Sequence, residues 1–454
     1  MRKRISAFFS VLAAIVLLTV PASAASSGST LKIICADAGQ VIFTPPESTQ
    51  YAYRYGPAIL IDGDRIDIWA SAPPLVSNGV RYGNDSIEYI RSTDGGKTWT
   101  EWKTVLYPTL NSEDQWSTCD PGAFKYGDYY YVGYTGSPEF RTNPDKEKQV
   151  NNLFIARAKN PEGPYEKWNG NGWGGDPYAI TRYSGDGVGC SMPSFTVKGD
   201  TLYMYYVDQT HPDQDWNSEG NISVSTFSLK DPNWPGNELS NKMCENKPEE
   251  VRYCPDIDKF IGFQLKGGWD YDSYVEIYES TDGVNFTKTS SFRNNFPHYA
   301  HNIGISGNNL GQLDLSIQNY IGTAYTPTGV EAWWGHWHTQ LIPLYIREEQ
   351  PSSTTPSQPS GSTDSSSQKP TTSSVGSTDG ESSETEVSEP QNSNIESTVS
   401  DDTSNKDKDK EVNNKTEQQE ETSYLWLYIV IGAVVVLAGA GTAVYFLVIK
   451  KKHV

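Results

Sequence analysis

The stretch GPAILIDGDRIDIWASA, residues 56–72, joins two apolar runs through a Gly-Asp turn and has a proline at its second position. The same arrangement returns as DPGAFKYGDYYYVGYTG at residues 120–136 and as MPSFTVKGDTLYMYYVD at residues 192–208. Alternating residues on both sides of a tight glycine turn predict a β-hairpin. CPDIDKFIGFQL, from Cys254, is a fourth copy, and a looser fifth copy begins at His301.

A second pair of short strands is predicted after each hairpin, for example in SIEYIRSTDGGKTWTEW, residues 86–102, and in YVEIYESTDGVNFTKT, residues 274–289. Four short strands that recur about five times, with no amphipathic helix between them, predict an all-β chain folded as a five-bladed β-propeller. An irregular β-sandwich is the alternative fold. Residues 31–43 are expected to supply a strand that closes the last blade.

The composition changes along the chain and predicts several segments. A basic start, a short apolar core and a small-residue ending are typical of a cleaved signal peptide, and a long uncharged apolar run followed by lysines predicts a membrane span with an outer N-terminal domain. An acidic stretch rich in Ser, Thr and Pro, just before the predicted membrane span, is too poor in apolar residues to fold. The predicted segments are a signal peptide (1–24), a propeller (31–347), a disordered linker (348–423), a transmembrane helix (425–449) and a cytoplasmic tail (450–454).

Charge and cysteine content exclude some classes of protein. The formal net charge is −20, and no Lys/Arg-rich stripe is present, so we expect no nucleic-acid partner. Five cysteines in an exported domain allow one or two disulfides and leave at least one thiol, with the pairing open. No Cys-x-x-Cys pair occurs, so a structural zinc site has little support. We also expect no other bound metal and no cofactor.

Two turns share the pattern Ser-Thr-Asp-Gly followed by an aromatic residue, at residues 92–99 and 280–286. We expect Asp94 and Asp282 to accept backbone N–H bonds in a tight turn rather than to do chemistry. The pattern resembles the Asp box of sialidases and of other propellers.

The blade that begins DPGAFKYGDYYYVGYT resembles the five-bladed glycosidases that act on arabinans, xylosides and fructosides. In that family three carboxylates open successive blades: a base aspartate, an aspartate that tunes the acid, and a general-acid glutamate. Asp120 matches the second position, and the resemblance implies a catalytic role for it. Gly56 stands at the first position and Ser191-Met192 at the third. The family's use of a funnel histidine near an ion or a sugar implies a similar place for His301.

YRYGPAIL, residues 53–60, resembles the opening blade of sialidases, whose Arg-Ile-Pro motif presents an arginine to the substrate carboxylate. Arg54 and Arg252 each lie three residues before a repeat proline, so the repeat predicts equivalent places for them. Two guanidinium groups would suit the carboxylate or sulfate of an acidic sugar. The alternative is that each arginine pairs with an acid such as Glu249 or Glu250 and braces the strand.

Residues just before each first strand are expected at the funnel mouth, which is the usual site in a propeller. They include Tyr55, Ser191 and Tyr253, which we expect to contact substrate together with Arg54, Arg252 and His301. In a sialidase-like site, Tyr253, Glu250 and Asp37 would be the nucleophile, its partner and the acid.

Several of these side chains have an equally ordinary structural role. Asp120 is either catalytic or a cap at a strand entrance, and His301 is either in the funnel site or in the core. His336 and His338 share a strand face, but packing is favoured over metal binding because no third ligand is evident. Trp333, Trp334 and Trp337 either stack on sugars or fill interfaces between blades.

These features predict a plasma-membrane protein whose propeller binds extracellular oligo- or polysaccharide. Glycoside hydrolysis is the leading function, since two opposed carboxylates perform it in related folds. The alternatives are a non-catalytic glycan-binding propeller, favoured by the replaced acid and base positions, and a sialidase-like enzyme on acidic sugars. A structural adhesion domain is a third class and would require a large exposed apolar patch.

Overall fold

The computed structural model describes residues 29–47, 51–143, 146–182, 188–210, 220–327 and 335–349. These residues form strands, turns and loops, and they contain no helix long and apolar enough to cross a membrane. The predicted signal peptide, transmembrane helix and cytoplasmic tail lie outside the described residues, as does the predicted linker beyond residue 349.

The described residues form strands β1 to β25, most of them four to ten residues long. Their bounds in chain order are Thr30–Cys35, Gln40–Phe43, Tyr55–Asp62, Arg65–Ala72, Leu75–Ser77, Val80–Tyr82, Ser86–Ser92, Lys103–Leu106, Ser117–Tyr126, Tyr129–Ser137, Phe140–Asn143, Lys146–Gln149, Asn152–Ala158, Glu166–Lys167, Gly189–Lys198, Thr201–Gln209, Asn221–Ser228, Glu238–Met243, Glu250–Cys254, Lys259–Lys266, Tyr274–Ser280, Thr287–Phe292, Ala300–Gly307, Asn319–Tyr325 and His338–Glu349.

Four strands form one antiparallel sheet, and this pattern recurs along the chain, with the short hairpins β5-β6 and β11-β12 as separate insertions. Three such sheets are separate: β9-β10-β13-β14, β15-β16-β17-β18 and β19-β20-β21-β22. Two more groups, β3-β4-β7-β8 and β23-β24-β25-β1, belong to one larger sheet, in which a short parallel contact between β23 and β3 joins them. The all-β architecture of four-stranded antiparallel sheets is consistent with a β-propeller.

The N-terminal strand completes the last group. β1 pairs antiparallel with β25 from Thr30 opposite Glu349 to Cys35 opposite Leu344. Exposed and buried residues alternate along β1, and Leu31 and Ile33 face the core. This period of two is the pattern of a strand with one solvated face. The segment therefore closes the last group of strands, as the sequence predicted.

The first strands of four groups share an unusual backbone feature. Gly56, Asp120, Met192 and Asn302 have φ values of 56°, 48°, 57° and 53°. At each of these points the ladder to the second strand shifts its register, as at a β-bulge. Glycine, aspartate and asparagine tolerate this left-handed conformation better than methionine does. The bulge re-aims one side chain per first strand, which is a common device beside functional sites.

The fourth sheet differs, and here the repeat alignment was wrong. Pro255 lies in the turn between β19 and β20, whereas Pro57, Pro121 and Pro193 lie within first strands. The ladder between β19 and β20 is regular from Glu250 to Cys254 and has no bulge. The Cys-Pro pair thus matched the other repeats in letters but belongs to the opposite end of its strand.

All five cysteines lie in the described residues, and none forms a disulfide. Cys35, Cys119, Cys190, Cys244 and Cys254 are each buried as free thiols. The one or two disulfides that the sequence allowed are therefore not formed. Buried thiols behave as small apolar side chains, and these five pack in the sheets' cores.

The two Asp-containing turns make the predicted backbone contacts. Asp94 Oδ1 accepts the amides of Lys97 at 3.1 Å and Thr98 at 2.9 Å. Asp282 Oδ1 accepts the amides of Val284 at 2.9 Å and Asn285 at 2.8 Å. The contacts are structural, and they give no support to the sialidase part of the resemblance.

Candidate active site

Asp120 lies at the bulge of β9, where three first strands meet. Its amide donates to the Ser71 hydroxyl at 2.7 Å, and its Oδ1 accepts the Asn302 Nδ2 amide at 3.2 Å. A Cβ placed on Gly56 would lie 3.5 Å from both Asp120 Oδ1 and Asn302 Nδ2. The left-handed residues of three groups therefore converge on one half-buried carboxylate, which we call the Asp120 site.

The pKa of the Asp120 carboxyl is raised to about 6, mainly by burial and to a smaller extent by the charge of Asp85. Hydrogen bonds from Thr135 and Cys119 act in the opposite direction because they stabilise the carboxylate. A carboxyl group with such a pKa exchanges its proton near neutral pH. This property suits general acid or base catalysis and is uncommon for a surface aspartate.

Asp85, which the sequence analysis did not single out, is a second acid behind Asp120. It accepts bonds from the Tyr53 hydroxyl at 2.6 Å and from the Ser117 hydroxyl at 2.9 Å. Ser117 Oγ also lies 3.4 Å from Cys119 Sγ, which lies 3.5 Å from Asp120 Oδ2. Asp85 is 2% exposed. It therefore influences Asp120 through charge and shared contacts, and its own carboxylate is shielded from solvent.

A cluster of aromatic rings lies beside Asp120 and forms one wall of the Asp120 site. The rings of Tyr55 and His301 are 5.4 Å apart, and each also contacts Trp337, at 5.4 and 4.6 Å. Burial lowers the pKa of His301 to about 3, so its imidazole is neutral at physiological pH. Tyr55 and Trp337 are almost fully buried and support the wall from behind. Of the residues that the sequence predicted to contact substrate, Tyr55 and His301 lie together beside Asp120.

Trp269 extends this wall towards solvent and was missed from the sequence. Its ring lies 4.1 Å from the His301 ring, and its φ is 71°. A tryptophan in the left-handed region is unusual, and such backbone strain is concentrated at functional sites. The signal was present in the loop GGWDYDS, residues 267–273, where two aromatic residues stand among glycine and aspartate with no strand to fill.

The Arg54 side chain is held by an ion pair, two aromatic rings and a backbone carbonyl. Its Nη2 lies 2.6 Å from Glu88 Oε2, and its guanidinium lies 4.5 Å from the Phe43 ring centroid and 5.6 Å from that of Trp102. Its Nη1 donates to the Tyr53 carbonyl at 2.6 Å. These contacts describe an arginine that braces the entry to β3.

Arg252 is a buried link between three first strands. Its Nη2 pairs with Glu250 Oε2 at 2.8 Å and donates to the Ile305 carbonyl at 2.6 Å. Its Nη1 donates to the Ser194 hydroxyl and the Val251 carbonyl, and its Nε donates to Ile305. Each guanidinium nitrogen thus bonds to the protein. The pairing with Glu250 agrees with the alternative in which each arginine pairs with a nearby acid and braces the strand.

Arg54 and Arg252 are not equivalent, contrary to the repeat alignment. Arg54 precedes β3, whereas Arg252 lies in the middle of β19, two residues before the strand ends. The cause is the displaced Pro255 described above. Among the residues that the structure describes, the two guanidinium groups share no bonding partner.

Ser191 and Tyr253 lie in different surroundings. Ser191 is half-buried on β15, next to the left-handed Met192, whose amide donates to the Thr135 hydroxyl at 2.9 Å. The Tyr253 hydroxyl donates to Asp258 at 2.8 Å, in the turn that ends β19. Asp120 lies near the start of β9, whereas Tyr253 lies near the end of β19. The displaced Pro255 explains why the repeat alignment placed the two residues at the same end of their strands.

The residues suggested for a sialidase-like site are not assembled as one. Tyr253 bonds to Asp258, Glu250 pairs with Arg252, and Asp37 accepts the Gly39 amide at 2.6 Å in an exposed turn.

The histidine pair at the start of β25 makes ordinary contacts. His338 packs on Tyr325, with ring centroids 5.4 Å apart, and His336 Nε2 lies 3.4 Å from the Pro46 carbonyl. In the part of the chain that the structure describes, no three His, Cys, Asp or Glu side chains are grouped to hold a metal ion. Trp333 and Trp334 lie outside the described residues.

No protein-family model matches the chain, and the search of curated proteins found no significant match. Among solved structures, an α-L-arabinofuranosidase from Podospora anserina in complex with cellotriose is similar, with a TM-score of 0.47 and 12% identity over 70% of this chain and 98% of that chain. A family 117 glycoside hydrolase from Zobellia galactanivorans has a TM-score of 0.45 and 16% identity, over 70% and 91% of the chains. An endo-arabinase from Bacteroides thetaiotaomicron has values of 0.41 and 16%, over 67% and 98%. TM-scores below 0.5 do not establish function, so the functional case depends on this chain's own side chains.

Proposed function

We propose that the chain is a five-bladed β-propeller that hydrolyses glycosidic bonds at the Asp120 site. The observation that carries the proposal is a half-buried carboxyl with a pKa of about 6, held where three first strands meet. Five successive groups of four strands support the blade count. The resemblance of residues 120–135 to five-bladed glycosidases supports the reaction class.

In this mechanism Asp120 itself holds the catalytic proton, because Ser191 and Met192 stand where the resemblance implies the general-acid glutamate. The protonated carboxyl donates to the glycosidic oxygen as the bond to the sugar carbon breaks, and water adds a hydroxyl to that carbon. The remaining water proton is released to solvent, from which Asp120 is reprotonated. The Asn302 amide donates to Oδ1, so in this mechanism the proton is carried by the other carboxyl oxygen, Oδ2.

Aryl arabinofuranosides and xylopyranosides test the proposal, because their cleavage releases a coloured phenol. Asp120→Asn is expected to lower kcat/KM about 10²-fold to 10⁴-fold, the usual contribution of a general acid. The rate of the wild-type protein should fall as the pH rises through about 6, since the acid loses its proton there. Asp64→Asn, in the exposed turn between β3 and β4, is the matched control. Equal rates for the wild-type protein and Asp120→Asn would contradict the assignment.

A second candidate is a glycan-binding propeller without hydrolysis. It is favoured by Met192 and Gly56, which occupy the bulge positions where the resemblance implies a glutamate and an aspartate. The two functions differ in a direct measurement. A propeller that only binds should retain arabino- or xylo-oligosaccharides in calorimetry and release no reducing ends over many hours.

For the ligand we propose a neutral sugar. The acidic-sugar alternative relied on Arg54 and Arg252, and both guanidinium groups are engaged by carboxylates of the protein. The outer-surface location remains a proposal that rests on residues 1–24 and 425–449 of the sequence. Limited proteolysis of the membrane-bound protein should release a compact fragment ending near Arg347 that still binds oligosaccharide.

A further inference from the structure

We infer that a second sugar-binding subsite adjoins the Asp120 site, on an aromatic platform formed by Trp269, Tyr271, His298 and Tyr299. The platform would take a further ring of a neutral oligosaccharide chain. The inference rests on the proposed function and narrows it, because it makes the substrate a chain of several sugars.

Two contacts, joined by short steps along the chain, connect the platform with Asp120. Asn302 bonds to Asp120, and the next residue back, His301, contacts the Trp269 ring at 4.1 Å. Two residues further along, Tyr271 begins the exposed part of the platform. A sugar bound at Asp120 would therefore have its neighbour in the chain beside Trp269 and Tyr271.

Tyr271 is presented to solvent in a fixed orientation. It is 58% exposed, although large aromatic rings are usually covered. Its ring lies parallel to that of His298, with centroids 3.8 Å apart and planes 18° apart. Tyr299 meets it nearly edge-on, at 5.7 Å and 72°. A ring that is already ordered loses little conformational freedom when a ligand stacks on it.

The backbone beneath the platform is also held in place before any ligand binds. The Trp269 amide donates to the Ala300 carbonyl at 3.0 Å, and the Tyr299 amide donates to the Asp270 carbonyl at 3.0 Å. The Ser273 hydroxyl lies 2.8 Å from the Gly267 carbonyl. These bonds tie the loop at residues 267–273 to the segment before β23 and maintain the left-handed conformation of Trp269. Strain that the surrounding contacts sustain is a common property of ligand-binding segments.

The chemistry of the platform selects a neutral sugar. One face of a pyranose or furanose ring carries C–H groups, which pack on aromatic faces, while its hydroxyls bond at the rim. The exposed carboxylates of Asp270 and Asp272 flank Tyr271 and can accept sugar hydroxyls. They would repel a carboxylate or sulfate. Arg293 lies nearby, but its guanidinium donates to the carbonyls of Tyr271 and Phe296 and is therefore engaged within the protein.

Calorimetric titration with arabino- and xylo-oligosaccharides of one to five units tests the inference without requiring catalysis. We expect the wild-type affinity to rise with chain length, and Tyr271→Ala to lower the affinity for trisaccharides about tenfold while leaving that for monosaccharides unchanged. Tyr271→Phe should bind like the wild-type protein, since the ring remains. Tyr345→Ala removes another half-exposed tyrosine, on β25, and is the control.

The two proposals fail in different ways. Wild-type binding of trisaccharides that Tyr271→Ala leaves unchanged would overturn the subsite and leave the proposed function standing. An absence of wild-type binding to every arabino- and xylo-oligosaccharide would overturn both. Loss of trisaccharide binding in Tyr271→Ala with an unchanged melting temperature would support the platform.

Discussion

Asp120 and Asp282 are the same residue type in two opposite environments. Asp282 lies in the exposed turn before β22, where two backbone amides and the side chains of Ser280 and Asn285 donate to its oxygens. These bonds hold the pKa of its carboxyl well below the usual range, although burial opposes them. Asp120 is half-buried, and burial raises its pKa to about 6.

The difference shows that nearby hydrogen-bond donors and exposure to water, rather than residue type alone, determine the pKa of a carboxyl group. A turn that supplies amides fixes a permanent negative charge and stabilises the fold. A bulge that turns a carboxyl away from water, beside a second acid, leaves a group that binds and releases a proton near neutral pH. The first arrangement suits structure and the second suits catalysis.

Opposite stability changes are the largest effect that this comparison predicts. At pH 7.5, Asp120→Asn should raise the free energy of unfolding by about 1 to 2 kcal/mol, after allowance for partial solvent screening, because it removes a charge that burial disfavours. Asp282→Asn should lower it by about 1 kcal/mol, because one oxygen that accepts hydrogen bonds becomes a donor. Urea unfolding measures both.

Asp64→Asn, at an exposed turn, should change little and is the reference. Destabilisation of the fold by both Asp120→Asn and Asp282→Asn would mean that the two aspartates have the same role, and the comparison would fail.

The pH dependence of these changes is the second test and has a defined sign. The raised pKa of Asp120 means that its contribution to stability is fully present below the unfolded value of about 4 and is lost as the pH rises through about 6. The advantage of Asp120→Asn should therefore shrink by roughly 1 kcal/mol or more between pH 7.5 and pH 4. The depressed pKa of Asp282 means that its contribution persists above about pH 4 and is lost only in stronger acid.

Unfolding curves at pH 4, 5, 6 and 7.5 would measure the difference between each variant and the wild-type protein. An advantage for Asp120→Asn that stays constant across this range would rule out an elevated pKa at Asp120.

Thr135→Val is the smallest of the three tests and sharpens the explanation of Asp120. Thr135 donates a hydrogen bond that lowers the pKa of the Asp120 carboxyl, so the loss of this bond should raise that pKa further above its usual range. The carboxyl carbon resonance of Asp120, followed by NMR over pH 4 to 9, measures the shift. Thr98→Val, beside the exposed Asp94 turn, is the control, and an unchanged Asp120 titration in Thr135→Val would exclude Thr135 as a cause.

The strand pattern was readable from the sequence because hairpins are local. Alternation around Gly-Asp turns predicted the pairs formed by β3 with β4, β9 with β10, and β15 with β16. The fourth repeat went out of register because proline is at home both early in a bulged strand and in a turn, and one letter does not distinguish the two. That single slip displaced Arg252 and Tyr253.

The candidate site was predictable only in part. Asp120 was identified because it stands beside a repeat proline, and Tyr55 and His301 followed from the same positions. Asp85 and Trp269 were missed because each comes from a connection between strands, and its closeness to Asp120 depends on how separate sheets pack. Periodicity within one strand contains no information on such contacts.

The pairing of β1 with β25 also has a consequence for biosynthesis. Thr30 is among the first residues of the described chain to be made, and its partner Glu349 is the last of them. The strand that completes the final sheet must therefore wait, with one edge open, until more than three hundred further residues have been made. Closure cannot proceed vectorially with synthesis, and a contact so distant in sequence is formed slowly. If the chain is exported, this waiting period falls within translocation, when an unpaired edge strand is most exposed to pairing with the wrong partner.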